Sequence, residues 1–226
     1  MGKLAAFVRM DFMTIKPYFT FRYMMIYVVL AFVITVMSAD LVSGIAVGML
    51  LTTNFISYPF AVGEKSNLDA LYTTMSLDRR SVVFGRYIFT LALNLCAIAA
   101  SLAVAMLGVL ATQAPGQASG VVASPLPTIV FVLASIIVVI QSIQLPIFFK
   151  LSYSKAKMLS LIPFIGLMLA FLVINLWAKA DSGIVLFLNG FFDNAVVAIP
   201  IMAGLLAVLV FASYQVSRAF YSRREF

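Results

Sequence analysis

Six long apolar runs, Phe21–Ser38, Leu41–Val62, Tyr87–Ala111, Thr128–Phe149, Met158–Trp177 and Ala195–Val216, divide the chain. A helix needs about 20 such residues to cross the hydrocarbon core of a bilayer. Helices and closed barrels are the structures that satisfy every backbone polar group in lipid, and a barrel would show short segments of alternating polarity. These runs are apolar all round, so the expectation is an all-α membrane protein with six transmembrane helices in a single transmembrane domain, 1–226. Composition agrees. The chain is 64% hydrophobic and 10% charged, against about 45–50% and about 25% in soluble domains, too little polar surface to cover a core in water.

Charge placement sets the orientation. Lys3, Arg9, Lys16 and Arg22 precede or open the first run, and Lys65, Arg79, Arg80 and Arg86 lie between the second and third. Lys150, Lys155 and Lys157 follow the fourth, and Arg218, Arg223 and Arg224 follow the sixth. Fourteen of the fifteen basic residues therefore fall on one side, with Lys179 on the other, and the positive-inside rule predicts cytoplasmic N- and C-termini. The net charge of +7 is thus met by lipid headgroups. It does not form one soluble basic face, so nucleic acid is not an expected partner.

Several kinds of chemistry are excluded. With one cysteine, Cys96, and no histidine, neither a disulfide framework nor a histidine-based metal site is expected, and no metal ligands are assigned. No G-x-x-x-x-G-K-[ST] occurs, and Gly63-Glu64-Lys65-Ser66 lacks the spacing that cradles phosphates. No catalytic residues and no cofactor are expected within this chain. No mid-membrane carboxylate, lysine or histidine offers a proton relay, and no internal repeat supports an inverted-repeat transporter.

Two segments outside the runs carry amphipathic patterns. In residues 1–20, Leu4, Val8, Phe12 and Ile15 share a helical face with Lys3, Asp11 and Thr14 on another, which reads as an interfacial helix rather than a signal peptide. In the cytoplasmic loop 63–86, Leu68, Leu71, Tyr72 and Met75 recur at helical spacing while Glu64, Lys65, Asn67 and Asp69 stay polar, and Ser66 with Asp69 resembles a capping box. Such a helix either lies on headgroups or docks on a soluble partner. The outer loops are expected at 112–127, rich in proline and glycine without a charge, and at 178–194.

Within the spans, Asn54, Asn94, Gln141, Gln144 and Asn175 are the polar amides. Interhelical hydrogen bonding is their ordinary role, and lining a substrate path is the other. Gly44 and Gly48 form a GxxxG, which predicts close helix packing. Pro59, Pro146 and Pro200 are expected to kink their helices.

The run Met75-Ser76-Leu77-Asp78-Arg79-Arg80-Ser81-Val82-Val83-Phe84-Gly85-Arg86-Tyr87 resembles the segment entering the third span of ABC type-2 exporter permeases. Gln144-Leu145-Pro146-Ile147-Phe148-Phe149-Lys150, with Tyr153, Lys155, Ala156 and Lys157 following, resembles the end of the fourth span in bacterial permeases that include phenol-soluble modulin exporters. Ser76, Asp78 and Ser152 depart from residues usual in that pattern.

The resemblance implies a bacterial plasma-membrane permease that works with a separate ATPase subunit in two copies and with a second permease, as a homodimer or heterodimer. ATP and Mg would sit on the partner ATPase. By position, Glu64, Lys65, Leu68, Leu71 and Tyr72 would form the coupling helix against it, and Lys150, Tyr153, Lys155 and Lys157 a second contact. Arg79, Arg80 and Arg86 would anchor the loop. The expected function is export of apolar or amphipathic cargo, with amphipathic peptides as the family-based expectation. The alternatives are a substrate-binding membrane subunit of an ATP-driven importer and a multi-span protein not coupled to ATP; an intramembrane enzyme lacks the residues for it.

Overall fold

The computed structural model describes residues 9–13, 16, 21–38, 41–66, 78–112, 126–180 and 195–223, and among them all regular structure is helical. A short helical stretch at 9–13 precedes α1 (Phe21–Ser38), α2 (Leu41–Thr52), a 3₁₀ stretch at Thr53–Ser57, and α3 (Tyr58–Lys65). There follow α4 (Arg79–Thr112), α5 (Leu126–Lys150), α6 (Tyr153–Leu159), α7 (Ile162–Ala180) and α8 (Ala195–Ser222).

Among the described residues, five helical segments are long and apolar enough to cross a membrane: Leu41–Lys65, Arg79–Ala111, Pro127–Lys150, Tyr153–Ala170 and Val197–Ser222. At the first run, α1 covers Phe21–Ser38, and its described apolar portion, Met25–Ser38, is shorter. The protein is therefore a multi-pass helical membrane protein, with five candidate spans among the described residues.

Helix ends differ from the apolar runs for a physical reason. The 34 residues of α4 extend about 51 Å at ~1.5 Å per residue, well beyond the hydrocarbon thickness of about 30 Å. The apolar run marks what must be dry, while the backbone keeps its helical bonds into the headgroup region. Arg79, Arg80 and Arg86, expected in a loop, accordingly lie in α4, and Glu64 and Lys65 close α3.

Proline sets the breaks. Pro59 sits in the first turn of α3; its ring crowds the carbonyl four residues back and offers it no N–H, and the preceding turn tightens to 3₁₀ geometry. Between α6 and α7 the chain turns at Ser160–Leu161, and Pro163 fits the first turn of α7, where its missing N–H costs nothing. Pro146 and Pro200 lie inside α5 and α8.

Packing joins α2 to α1 and α4, and α8 to α5 and α4, while α7 meets α5 over a small area. The GxxxG glycines explain the first group. A Cβ on Gly44 would stand 1.8 Å from Thr35 Oγ1 and 3.3 Å from the Ala105 Cβ, and one on Gly48 would stand 2.6 Å from the Ser101 Cβ. Thr35 turns its hydroxyl back to the Ala31 carbonyl at 2.8 Å, so no polar group is stranded in this contact. Helices α1, α2 and α4 approach closely here because two residues of α2 have no side chain.

Candidate functional site

The end of the bundle carrying most of the described basic residues brings together the end of α3, the start of α4, the end of α5, the start of α6 and the end of α8. At its centre is Arg86, almost fully buried, with Nη1 3.3 Å from Oδ2 of the equally buried Asp11. Arg86 Nη2 donates to the Pro59 carbonyl at 3.3 Å, and the guanidinium lies 4.9 Å from the Phe60 ring centroid. One side chain thus ties the N-terminal segment to α3 and α4. Burial pushes the Asp11 carboxyl above its ordinary value of 3.8, and Arg86 pulls it part of the way back. Asp11 was expected on the polar face of an interfacial helix; the structure buries it because Arg86 reaches it from the second turn of α4. Leu4, Val8 and Ile15 of that pattern lie outside the described residues.

A ladder of rings continues outward from Arg86. Phe60 stacks on Phe148 at 5.1 Å and meets Phe149 edge-on at the same distance, and Phe148 stacks on Tyr153 at 6.5 Å. Glu64 then closes the circuit by accepting a hydrogen bond from the Tyr153 backbone N–H. Ser152, the N-cap of α6, makes no side-chain cap; the Glu64 carboxylate fills that role at the positive end of the helix. Two segments assigned separately from the sequence, the one beginning at Glu64 and the one at Lys150 to Lys157, are therefore in contact.

The remaining predicted residues fall as follows. Lys65 ends α3 and Lys150 ends α5, with Lys150 Nζ 5.0 Å from the Phe220 ring centroid. Lys155 and Lys157 are exposed on α6. Arg79 donates from Nη1 to the Ser222 carbonyl at 2.6 Å, binding the first turn of α4 to the last turn of α8. Leu68, Leu71 and Tyr72 lie outside the described residues, as do the side chains of Asn54 and Asn175.

Asn94 and Gln141 are buried and bond each other reciprocally: Asn94 Nδ2 donates to Gln141 Oε1 at 2.6 Å, and Gln141 Nε2 to Asn94 Oδ1 at 2.7 Å. This pair crosslinks α4 and α5. Gln144 Nε2 donates to the Ser160 carbonyl at 2.9 Å and so holds the α6–α7 turn against α5.

A further lock was not singled out from the sequence. Pro146 has no N–H, which leaves the Ser142 carbonyl without its helical donor inside the protein. Ser213 Oγ of α8 donates to that carbonyl at 2.6 Å. Having spent its proton there, Ser213 receives the Tyr87 hydroxyl at 2.6 Å, and Ser217 donates to the Tyr87 oxygen at 2.9 Å. The signal for one half of this was legible: a proline four residues after Ser142 demands an outside donor. Which helix supplies it was not.

An apolar recess of about 270 Å³ lies between α1, α2 and α4, lined among others by Tyr27, Ala31, Phe55, Leu93, Ala97 and Val104. Among the described residues no cluster of metal-ligating side chains occurs.

A bundle of lipid-length helices, bound at one end by a buried arginine, defines a polytopic membrane protein. The chain belongs to the ABC-2 family of transporter proteins, whose sequence model matches residues 7–222. It is accordingly a membrane permease subunit of an ABC transporter; such subunits are generally non-catalytic and pair with an ABC ATPase. No curated protein and no solved structure matches it significantly.

Proposed function

We propose that this permease exports apolar or amphipathic cargo, with amphipathic peptides as the first class to test. In this reading the chain makes six spans, with both termini in the cytoplasm of a bacterial cell and the Arg86 end facing inward. Two ATPase copies, holding ATP and Mg, dock on two permeases. ATP-driven closure moves the segment that begins at Glu64, and the rigid helices carry that movement to the far end, alternating access to the path.

The observation that supports this most directly is the contact between Glu64 and Tyr153. It makes the two proposed ATPase contacts one mechanical unit, which the ring ladder from Phe148 to Phe60 links to Arg86 and hence to α4. The apolar lining of the recess between α1, α2 and α4 favours an uncharged or amphipathic cargo.

The decisive experiment is co-purification of the ATPase with a Leu68→Asp, Leu71→Asp permease. If residues 64–72 dock on it, burial of each large side chain is worth about 1.5–3 kcal/mol, so assembly is lost while membrane insertion persists. Undiminished recovery of the ATPase defeats the coupling-segment assignment. Orientation is checked separately: in a background lacking Cys96, a cysteine replacing Lys179 labels from outside sealed cells and one replacing Arg79 does not.

A further inference from the structure

Where the first turn of α4 meets the last turns of α8, a cleft of about 420 Å³ is lined by Asp78, Arg79, Arg80, Gln215, Arg218 and Ser222. Among the described residues it holds three guanidinium groups against one carboxylate. That carboxylate faces the backbone of its own helix start, with Asp78 Oδ1 3.4 Å from the Arg80 N–H. Arg79 is fastened to the Ser222 carbonyl, which fixes the two helix ends side by side and sets the width of the cleft. Asp78, just ahead of α4, already supplies a carboxylate at the start of that helix; the excess positive charge of the cleft comes from Arg80 and Arg218 beside the tethered Arg79.

The surface above the cleft says what kind of anion. On α8, Val208, Phe211, Gln215 and Arg218 share one face, and Val208 and Phe211 are more than 60% exposed. On α4, Arg80, Phe84, Leu91 and Leu95 share one face, and the three apolar members are about half exposed or more. The Phe84 and Tyr214 rings meet edge-on at 6.2 Å, so the two helices run together at this level. A basic cleft therefore opens at the foot of two parallel apolar stripes. This is the layout of a molecule with a charged head and hydrocarbon tails, not of a free ion.

We propose that this cleft is a binding site for one anionic phospholipid, its phosphate held by Arg80 and Arg218 and its acyl chains lying along the apolar stripes of α4 and α8. Basic groups between helices at a membrane surface attract acidic headgroups, each contributing a several-fold gain in occupancy. The site is independent of the ATPase reading, because it requires only that these helices span a bilayer.

The test uses the full chain purified in detergent and examined by native mass spectrometry with an equimolar mixture of phosphatidylglycerol and phosphatidylcholine. One phosphatidylglycerol is expected to remain bound where phosphatidylcholine is lost. Arg80→Gln with Arg218→Gln is expected to lower that retention by about 30-fold, the size of two basic contacts. Lys155→Gln with Lys157→Gln removes the same charge from α6 and is expected to leave retention within about twofold. Arg80→Lys with Arg218→Lys keeps the charge and is expected to retain the lipid; a loss as deep as in the glutamine pair would assign the effect to packing and overturn the proposal. Equal retention of the two lipids, or equal loss in the α6 variant, would overturn it too. Displacement of the lipid by millimolar glycerol phosphate would also overturn it, making this a site for a soluble phosphate.

Discussion

At the end of the bundle formed by Thr35, Gly44, Gly48 and Ala105, helices meet with almost nothing between them; at the end that carries Arg86, Tyr87 and Ser213, they meet through rings, amides, hydroxyls and an ion pair. The first contact is a matter of shape, and any added atom is felt at once. The second is a set of directional bonds that can exchange partners without any change of shape. Lipid provides no hydrophobic drive for either, so small residues and polar bonds do the holding.

Substitutions should separate the two ends. The largest effect is expected for Arg86→Met, which strands the buried Asp11 carboxylate at a cost of about 3–5 kcal/mol. Because the Asp11 carboxyl is raised above 3.8 by burial, the folded protein keeps that proton to higher pH than the unfolded chain. Its contribution is therefore present in acid and lost as pH rises through the raised value. Without Arg86 the rise is larger, so the deficit of the variant, measured by thermal unfolding in detergent, should be small in acid and grow toward neutral pH. Adding Asp11→Asn should remove that growth.

At the tight end, Gly44→Ala places a Cβ 1.8 Å from Thr35 Oγ1 and should cost about 1–3 kcal/mol as an overpacked contact. Thr35→Ala in the same chain should restore part of it. A melting temperature unchanged by Gly44→Ala would mean that α1 is free to move away, and that this end is not the rigid one.

The proline lock is tested by a cycle. Ser213→Ala leaves the Ser142 carbonyl without a donor and should cost about 1–3 kcal/mol, whereas in a Pro146→Ala background residue 146 regains its N–H and the same change should cost distinctly less, only the Tyr87 hydroxyl contact then being lost. Equal costs in both backgrounds would show that Ser213 acts elsewhere. The smallest effect belongs to the amide pair: Asn94→Leu should cost about 0.6 kcal/mol, at most about 1.7, and Asn94→Leu with Gln141→Leu should recover most of it, because no amide is then left unpaired.

The positions of the apolar helices were readable because their signal is local and additive: some 20 consecutive residues report one property, and no partner need be known. The predicted first run coincides with α1, and Tyr87–Ala111, Thr128–Phe149 and Ala195–Val216 lie inside longer helices that leave the hydrocarbon but not their own hydrogen bonds; Leu41–Val62 is interrupted by the 3₁₀ stretch at Thr53–Ser57, and Met158–Trp177 starts in α6 and crosses the turn before α7. Close packing at Gly44 and Gly48 was readable for a similar reason, since absence of a side chain has one main use in lipid.

The site was readable only in part. Glu64 and Tyr153 each stood in a segment marked by pattern or resemblance, but 89 residues separate them, and nothing local indicates that a carboxylate of one segment caps the helix of the other. Asp11 was misplaced because an amphipathic pattern assumes that charge faces water, an assumption that a single opposite charge overturns.

The sequence by itself determined that this protein lives in a bilayer, where its apolar runs lie, and that phosphate-cradling chemistry is not written in it. Only the tertiary structure decided that Arg86 is the buried hub, that Ser213 is the donor to the Ser142 carbonyl, and that Arg218 joins Arg79 and Arg80 in one cleft. The reason is physical: transfer from water to lipid depends on each segment's own composition, whereas a hydrogen bond or ion pair depends on two atoms that the chain brings together only when its helices have packed.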